Sequence, residues 1–127
     1  AELLRFSRRT QRQLEQWAAR YGYRDRPGEM LEHVKKGHGS RYTCVNLTNA
    51  DTIEFRMFRG TLKLNTLIAI LQLVDHICDA AIFMPDDELH DLSWSSFVSA
   101  IKEPELVQYL KERNLYVNEP VEGEGEV

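Results

Sequence analysis

One stretch limits what this chain can become. From Thr61 to Met84 neither glycine nor proline interrupts, and Leu64, Leu67, Ile68, Leu71, Val74, Cys78 and Ala81 recur at helical spacing. Ile70, Leu73, Ile77 and Met84 widen the stripe. Only Asn65, Ala69, Gln72, Asp75, His76 and Asp79 are left as a narrow wetter side. The spacing predicts one long helix, and a helix so apolar is expected to be mostly buried. It needs a second layer to cover it, and the residues before it offer one.

Those residues alternate. Arg41 to Leu47 places Thr43, Val45 and Leu47 on one side and Tyr42, Cys44 and Asn46 on the other. Thr48-Asn49-Ala50-Asp51 is rich in turn formers. Thr52 to Arg59 alternates again, with Ile53, Phe55 and Met57 opposed to Glu54, Arg56 and Phe58. The pattern predicts an antiparallel hairpin with one apolar face and one face carrying Asn46, Glu54 and Arg56. Its apolar face is expected to lie under the long helix.

The flanks read as helices. Leu14, Trp17, Ala18 and Tyr21 mark a helix from Ser7 to Tyr21, with Ser7 or Thr10 as its cap. Met30, Leu31 and Val34 suit a short helix from Gly28 to Lys36, before a loop at Gly37-His38-Gly39-Ser40. Pro85-Asp86-Asp87-Glu88 stops the long helix. Ser93 to Lys102 and Glu105 to Arg113 are shorter helices, the latter opened by Pro104. The expected class is therefore α+β: a hairpin, part of an antiparallel sheet, packed against a long buried helix, with helical N- and C-terminal segments. Residues 1–117 are expected to form one domain, and the acidic end 118–127 a disordered tail.

Of the 127 residues, 43% are hydrophobic and 28% charged, a balance that supports a packed core. Charge is divided unevenly. Residues 1–60 hold twelve Lys/Arg against seven Asp/Glu, and residues 61–127 hold four against thirteen, hence +5 and −9. The acidic balance and the lack of helix-turn-helix, finger or RNP spacing argue against nucleic acid as the main partner. No uninterrupted apolar run reaches the ~18–20 residues of a bilayer span, so no membrane is expected. Cys44 and Cys78 have no close cysteine partners, which fits neither a disulfide framework nor a zinc knuckle. A reduced, cytoplasmic protein is the expectation. Ala1 stands directly before an apolar and basic segment, which suggests processing or a piece of something longer.

The hairpin is where chemistry concentrates. An arginine alternating with phenylalanine along a strand needs an acceptor for its guanidinium. Glu54 and Arg56 share a face, Asn46 can lie across the ladder, Arg59 stands before Gly60, and Arg41 begins the facing strand. Arginine forks match phosphate and carboxylate bidentately. The competing reading is a structural Glu54–Arg56 network on an exposed sheet. The histidines His33, His38, His76 and His90 are scattered without ligand spacing, so no zinc site is expected. Cys44 would need His38 as its base to act as a nucleophile.

The run RYTCVNLTNADTIEFRMFRGTLKLNTLIAILQ, from Arg41 to Gln72, resembles the C-terminal part of the amidoligase family of phages and prophages, glutamine-synthetase-like and glutamate–cysteine-ligase-like carboxylate–amine ligases. VNL followed by TIEFRMFRGT carries it, and LLRFSRRTQRQLEQWAARYGY resembles the family's lead-in. The resemblance covers roughly residues 3–84. It implies ATP-dependent amide formation from a small-molecule carboxylate and an amine through an acyl phosphate, with Mg²⁺ screening the triphosphate. By the same resemblance Arg56, Arg59 and Glu54 take catalytic roles, with Glu54 either a metal ligand or an orienter of Arg56. Arg41, Asn46 and Thr61 would line the substrate and phosphate face.

The sequence departs from that family in one respect. A complete ligase of this group carries paired acidic strand ligands of the E-x-E kind, and Glu2, Glu15, Glu29 and Glu32 fall on helices or loops instead. The chain is therefore expected to be a ligase portion, or a shortened relative, not catalytically complete alone. The rival is a non-enzymatic phage or prophage protein that binds a host protein, for example an inhibitor of a bacterial defence system such as CRISPR. Its acidic half would meet a basic partner. An unpaired hairpin edge would also permit a homodimer.

Overall fold

A computed structural model of the chain describes residues 2–17 and 44–116. The helix expected over Gly28–Lys36, the loop at Gly37–Ser40, Arg41, His33, His38 and the tail 118–127 lie outside them. The fold is α+β, with a two-stranded antiparallel sheet among helices. The chain divides into two compact units at Arg59/Gly60.

The first unit opens with α1 (Glu2–Ser7) and α2 (Gln11–Trp17). Of the helix expected over Ser7–Tyr21, residues 18–21 lie outside the described ones; of its two candidate caps Thr10 is the one used, and the chain breaks at Ser7. The Ser7 hydroxyl donates to the Leu4 carbonyl at 2.7 Å, and Arg8 takes the left-handed conformation, φ 60°. Thr10 then starts α2 through a reciprocal capping box. Its Oγ1 accepts from the Gln13 N–H at 3.2 Å, and Gln13 Oε1 accepts from the Thr10 N–H at 3.1 Å. Among the described residues of this unit, Phe6, Leu14 and Met57 are the buried apolar side chains. Phe6 meets Phe58 edge-on at 5.9 Å, and Arg9 donates to the Phe58 carbonyl at 3.0 Å.

Strands β1 (Val45–Asn46) and β2 (Glu54–Phe55) form the hairpin, shorter than the alternation suggested. Val45 pairs with Phe55 and Asn46 with Glu54, so the two faces are those the alternation predicts. Asn46 is also why β1 ends where it does. Its Oδ1 accepts from both the N–H and the hydroxyl of Thr48, at 3.0 and 2.7 Å, and turns the chain out of the ladder.

The second unit contains α3 (Leu64–Phe83), α4 (Asp86–His90), α5 (Trp94–Ser99) and α6 (Pro104–Glu112). The segment read as a stop after Met84 is itself a helical turn, with Asp86, Asp87 and Glu88 at its positive N-terminal end. Ser93 caps α5 by accepting from the Ser96 N–H at 3.1 Å. Pro104 occupies the first turn of α6. The far end of α6 is a Schellman closure: Leu115 N–H reaches the Leu110 carbonyl, Asn114 N–H reaches that of Lys111, and Asn114 has φ 53°. Ala69, Leu73, Val98, Ile101, Leu106, Leu110 and Leu115 are buried. Trp94 seals the edge by donating from Nε1 to the Leu115 carbonyl at 2.9 Å.

The burial of α3 is one-sided. It packs along α6, and only Ala69 and Leu73 are fully buried. Leu64, Leu67, Leu71, Ile82 and Phe83 are exposed. The stripe expected to face inward thus lies away from α6, because the shorter α6 covers one face of α3 and that face is the narrow one. By length and composition α3 could cross a bilayer, although no uninterrupted apolar run of that length was counted in the sequence. Gln72, Asp75, His76 and Asp79 interrupt it.

Candidate functional site

The polar face of the hairpin assembles as the register dictates. Glu54 and Arg56, two apart, share a side, and their side chains meet at 2.7 Å between Oε1 and Nη1. The backbone holds this end of the ladder closed, since the Arg56 N–H donates to the Cys44 carbonyl at 2.8 Å. Asn46 is buried opposite Glu54, its carbonyl oxygen engaged by Thr48. Glu54 and Arg56 remain partly open, at 44% and 27% side-chain exposure. An ion pair this exposed adds little stability, on the order of 0–1 kcal/mol.

Arg59 lies beyond the strand. Its N–H donates to the Ser7 carbonyl at 3.3 Å, and the residue is exposed. Thr61 belongs to the second unit, where its Oγ1 accepts from the Lys63 N–H at 3.1 Å just before α3. Arg41 is outside the described residues. The structure therefore brings together Asn46, Glu54 and Arg56, and sets Arg59 at the end of the same unit.

A Mg²⁺ site asks more of Glu54 than the hairpin provides. Magnesium needs near-octahedral oxygen ligation. Among the described residues no three His, Cys, Asp or Glu side chains converge on one point, and Glu54 Oε1 is taken up by Arg56. These residues do not form a Mg²⁺–ATP cradle, and no phosphoryl step is assigned to them. Cys44 and Cys78 are not joined in a disulfide, and each is half-buried.

The second unit holds polar features the sequence did not single out. Gln72 accepts from the Leu106 N–H at 3.1 Å through Oε1 and donates to Glu105 Oε2 at 3.0 Å. One turn on, His76 Nε2 lies 2.8 Å from Glu103 Oε2, with its ring edge-on to Phe97. His76, one of the residues on the wetter side of the apolar stripe, thus pairs with Glu103 27 positions away. The hydrogen bond from His76 holds the Glu103 carboxyl below its ordinary range, and that from Gln72 does the same for Glu105. The signal was the i, i+4 spacing of two polar residues on an apolar helix.

A cleft of about 360 Å³ opens where the start of α3 meets α6, lined by Lys63, Asn65, Thr66, Glu105, Gln108 and Arg113 among others. Arg113 stacks its guanidinium on the Tyr109 ring at 3.5 Å and lies 3.6 Å from Glu112 Oε2. The lining carries both signs of charge, with Lys63 and Arg113 beside Glu105 and Glu112.

Compared with known proteins, the chain matches no family model, no curated protein and no solved structure.

Proposed function

We infer that this chain is a portion, or a shortened relative, of an ATP-dependent carboxylate–amine ligase, and that it supplies anion contacts rather than a whole active site. One observation carries the reading: Asn46, Glu54 and Arg56 stand together on the hairpin in the register their spacing requires. Glu54 orients Arg56, and Arg59 follows at the end of the strand. Such arginines suit a phosphate or a substrate carboxylate. ATP and Mg²⁺ belong to the remainder of the ligase.

The test is direct. Incubated with Mg²⁺–ATP and pooled amino acids, the chain alone should release no ADP. In calorimetry it should bind ATP or a small carboxylate weakly, and Arg56→Ala should weaken that binding about tenfold, the loss of one charge-assisted pair. Steady turnover by this chain alone would refute its incompleteness. Absence of any anion binding would remove the ligase reading.

A second reading has its own observation. Asp86, Asp87, Glu88 and Asp91 are all exposed around α4, in the half of the chain that carries −9. A non-enzymatic phage or prophage protein would use that surface to meet a basic patch on a host protein. Capture of a basic partner from bacterial lysate, abolished by reversing the charges of Asp86 and Asp87, separates it from the first.

A further inference from the structure

The peptide bond between Arg59 and Gly60, where one compact unit ends and the next begins, is flanked by two hydrogen bonds that each stay on their own side of it. The Arg59 N–H donates to the Ser7 carbonyl at 3.3 Å, within the first unit. The Thr61 hydroxyl accepts from the Lys63 N–H at 3.1 Å, within the second. Residues 56–63 belong to no helix or strand, and Arg59, Gly60, Leu62 and Lys63 are exposed, Leu62 completely. Nothing beyond its chain neighbours comes within 4 Å of the place a Cβ would take on Gly60. Proteolytic nicking concentrates where the backbone is exposed and few native hydrogen bonds must break. Domains meet along a chain in such stretches.

Side-chain chemistry selects the class of protease. A trypsin-like enzyme takes a basic residue in its specificity pocket through an aspartate, and Arg59 offers one. The four residues after it, Gly60 to Lys63, are neither helical nor buried. The other basic residues of the second unit are placed worse. Lys63 is the N-cap of α3, so the residues after it are helical. Lys102 stands between fully buried Ile101 and the start of α6. Lys111 lies in α6, and Arg113 at its C-terminal closure. The part that would be released also has its own core. Leu73, Val98, Ile101, Leu106 and Leu110 are fully buried, and the bonds from Gln72 to Leu106 and from Trp94 to Leu115 tie its helices together. Domains of about 55–65 residues commonly fold alone, and Gly60–Val127 is of that size. Charge divides at the same place, with +5 over residues 1–60 and −9 over 61–127.

We propose that the Arg59–Gly60 bond is a processing site for a trypsin-like protease, which parts a basic hairpin-bearing unit from an acidic helical unit that keeps its fold. In the hydrolysis the hydroxyl of water joins the Arg59 carbonyl carbon as the C–N bond breaks, and the Gly60 nitrogen takes the proton. The new acid's proton then passes to the amine, leaving a carboxylate and an ammonium. Limited digestion of the full chain with trypsin tests it, read by intact mass and N-terminal sequence over time. A product beginning Gly60-Thr61-Leu62-Lys63 and running to Val127 should accumulate. Cuts after Lys102, Lys111 and Arg113 require local unfolding and should be at least about ten times slower, rising to the same rate only in urea. The isolated product should show helical far-UV dichroism and a cooperative melt. Gly60→Pro should abolish this product, since trypsin does not cut before proline, and Gly60→Ala should leave its rate unchanged. The melting of both variants confirms that they fold. Early cuts after Lys102 or Arg113 in place of the Gly60 product overturn the proposal, as does a Gly60 product from folded Gly60→Pro. A released product without a cooperative melt overturns the autonomy of the helical unit.

Discussion

Replacing Gln72 by methionine tests how the second unit is held together. The Leu106 N–H is one of the donors that the first turn of α6 cannot satisfy internally. The N-cap of α6, Glu103, makes no side-chain capping bond; the acceptor comes from α3, through Gln72 Oε1 at 3.1 Å. Methionine keeps the length and the apolar stem of glutamine and removes both its hydrogen-bonding atoms. Loss of a helix cap costs about 1 kcal/mol. Leu106 is fully buried, so water reaches its N–H poorly and the cost moves toward about 2 kcal/mol. At about 4–8 °C per kcal/mol for a unit this small, that is a fall of roughly 8–16 °C in melting temperature.

The same substitution has a pH signature. Glu105 is held below its ordinary value of 4.5 first by the hydrogen bond from Gln72 and then by its own backbone N–H. A carboxyl with a depressed folded pKa contributes stability that is complete above the unfolded value and fades as pH falls through the folded one. Gln72→Met removes the main cause. The gap between wild type and variant in urea melts should therefore be widest near neutrality and narrow below about pH 4.5. A loss smaller than about 0.3 kcal/mol at neutral pH would refute the remote cap. A gap independent of pH would refute the role of Glu105.

Three further outcomes follow from the same geometry. Asn114→Val forces a β-branched residue into φ 53° and should cost about 1–2 kcal/mol in urea melts, whereas Asn114→Gly should be neutral or slightly stabilising. Leu106→Ala empties a fully buried site and should cost about 2–5 kcal/mol, read as a lower denaturation midpoint with the slope retained. Glu103 is held low first by the hydrogen bond from His76, so its contribution is present above pH 4.5 and lost below; Glu103→Gln should flatten the acid limb of a melting-temperature profile while leaving the limb above neutrality in place.

Local chemistry was legible wherever it decides the backbone. Thr10, Ser93 and Pro104 open helices as their side chains require. The alternation through Val45–Asn46 and Glu54–Phe55 gave the hairpin faces and put Asn46 opposite Glu54. What was not legible depends on partners distant in sequence. The break at Arg8 needs a non-glycine residue to accept a left-handed conformation, and nothing in the residue type announces that. The capping of α6 by Gln72 spans 34 positions, so no local window contains it. Glu54 and Arg56 were foreseen together, but spacing could not separate an ion pair that aims an arginine from one that neutralises it.

The side of α3 that α6 takes was not legible from periodicity, for a physical reason. Periodicity reports that a helix has an apolar side; it does not report which side the available neighbour can reach. The neighbour sets the limit here. At about 1.5 Å per residue α6, with nine residues, is about 14 Å long, against about 30 Å for the twenty residues of α3. A shorter helix gains most by docking where it can also satisfy its own polar end, and Gln72 and His76 offer Leu106, Glu105 and Glu103 that satisfaction only on the narrow face. Hydrogen bonds therefore choose the side, although apolar area favours the other. What remains is the Leu64, Leu67 and Leu71 side of α3, which a nine-residue α6 docked on the Gln72 and His76 side does not reach.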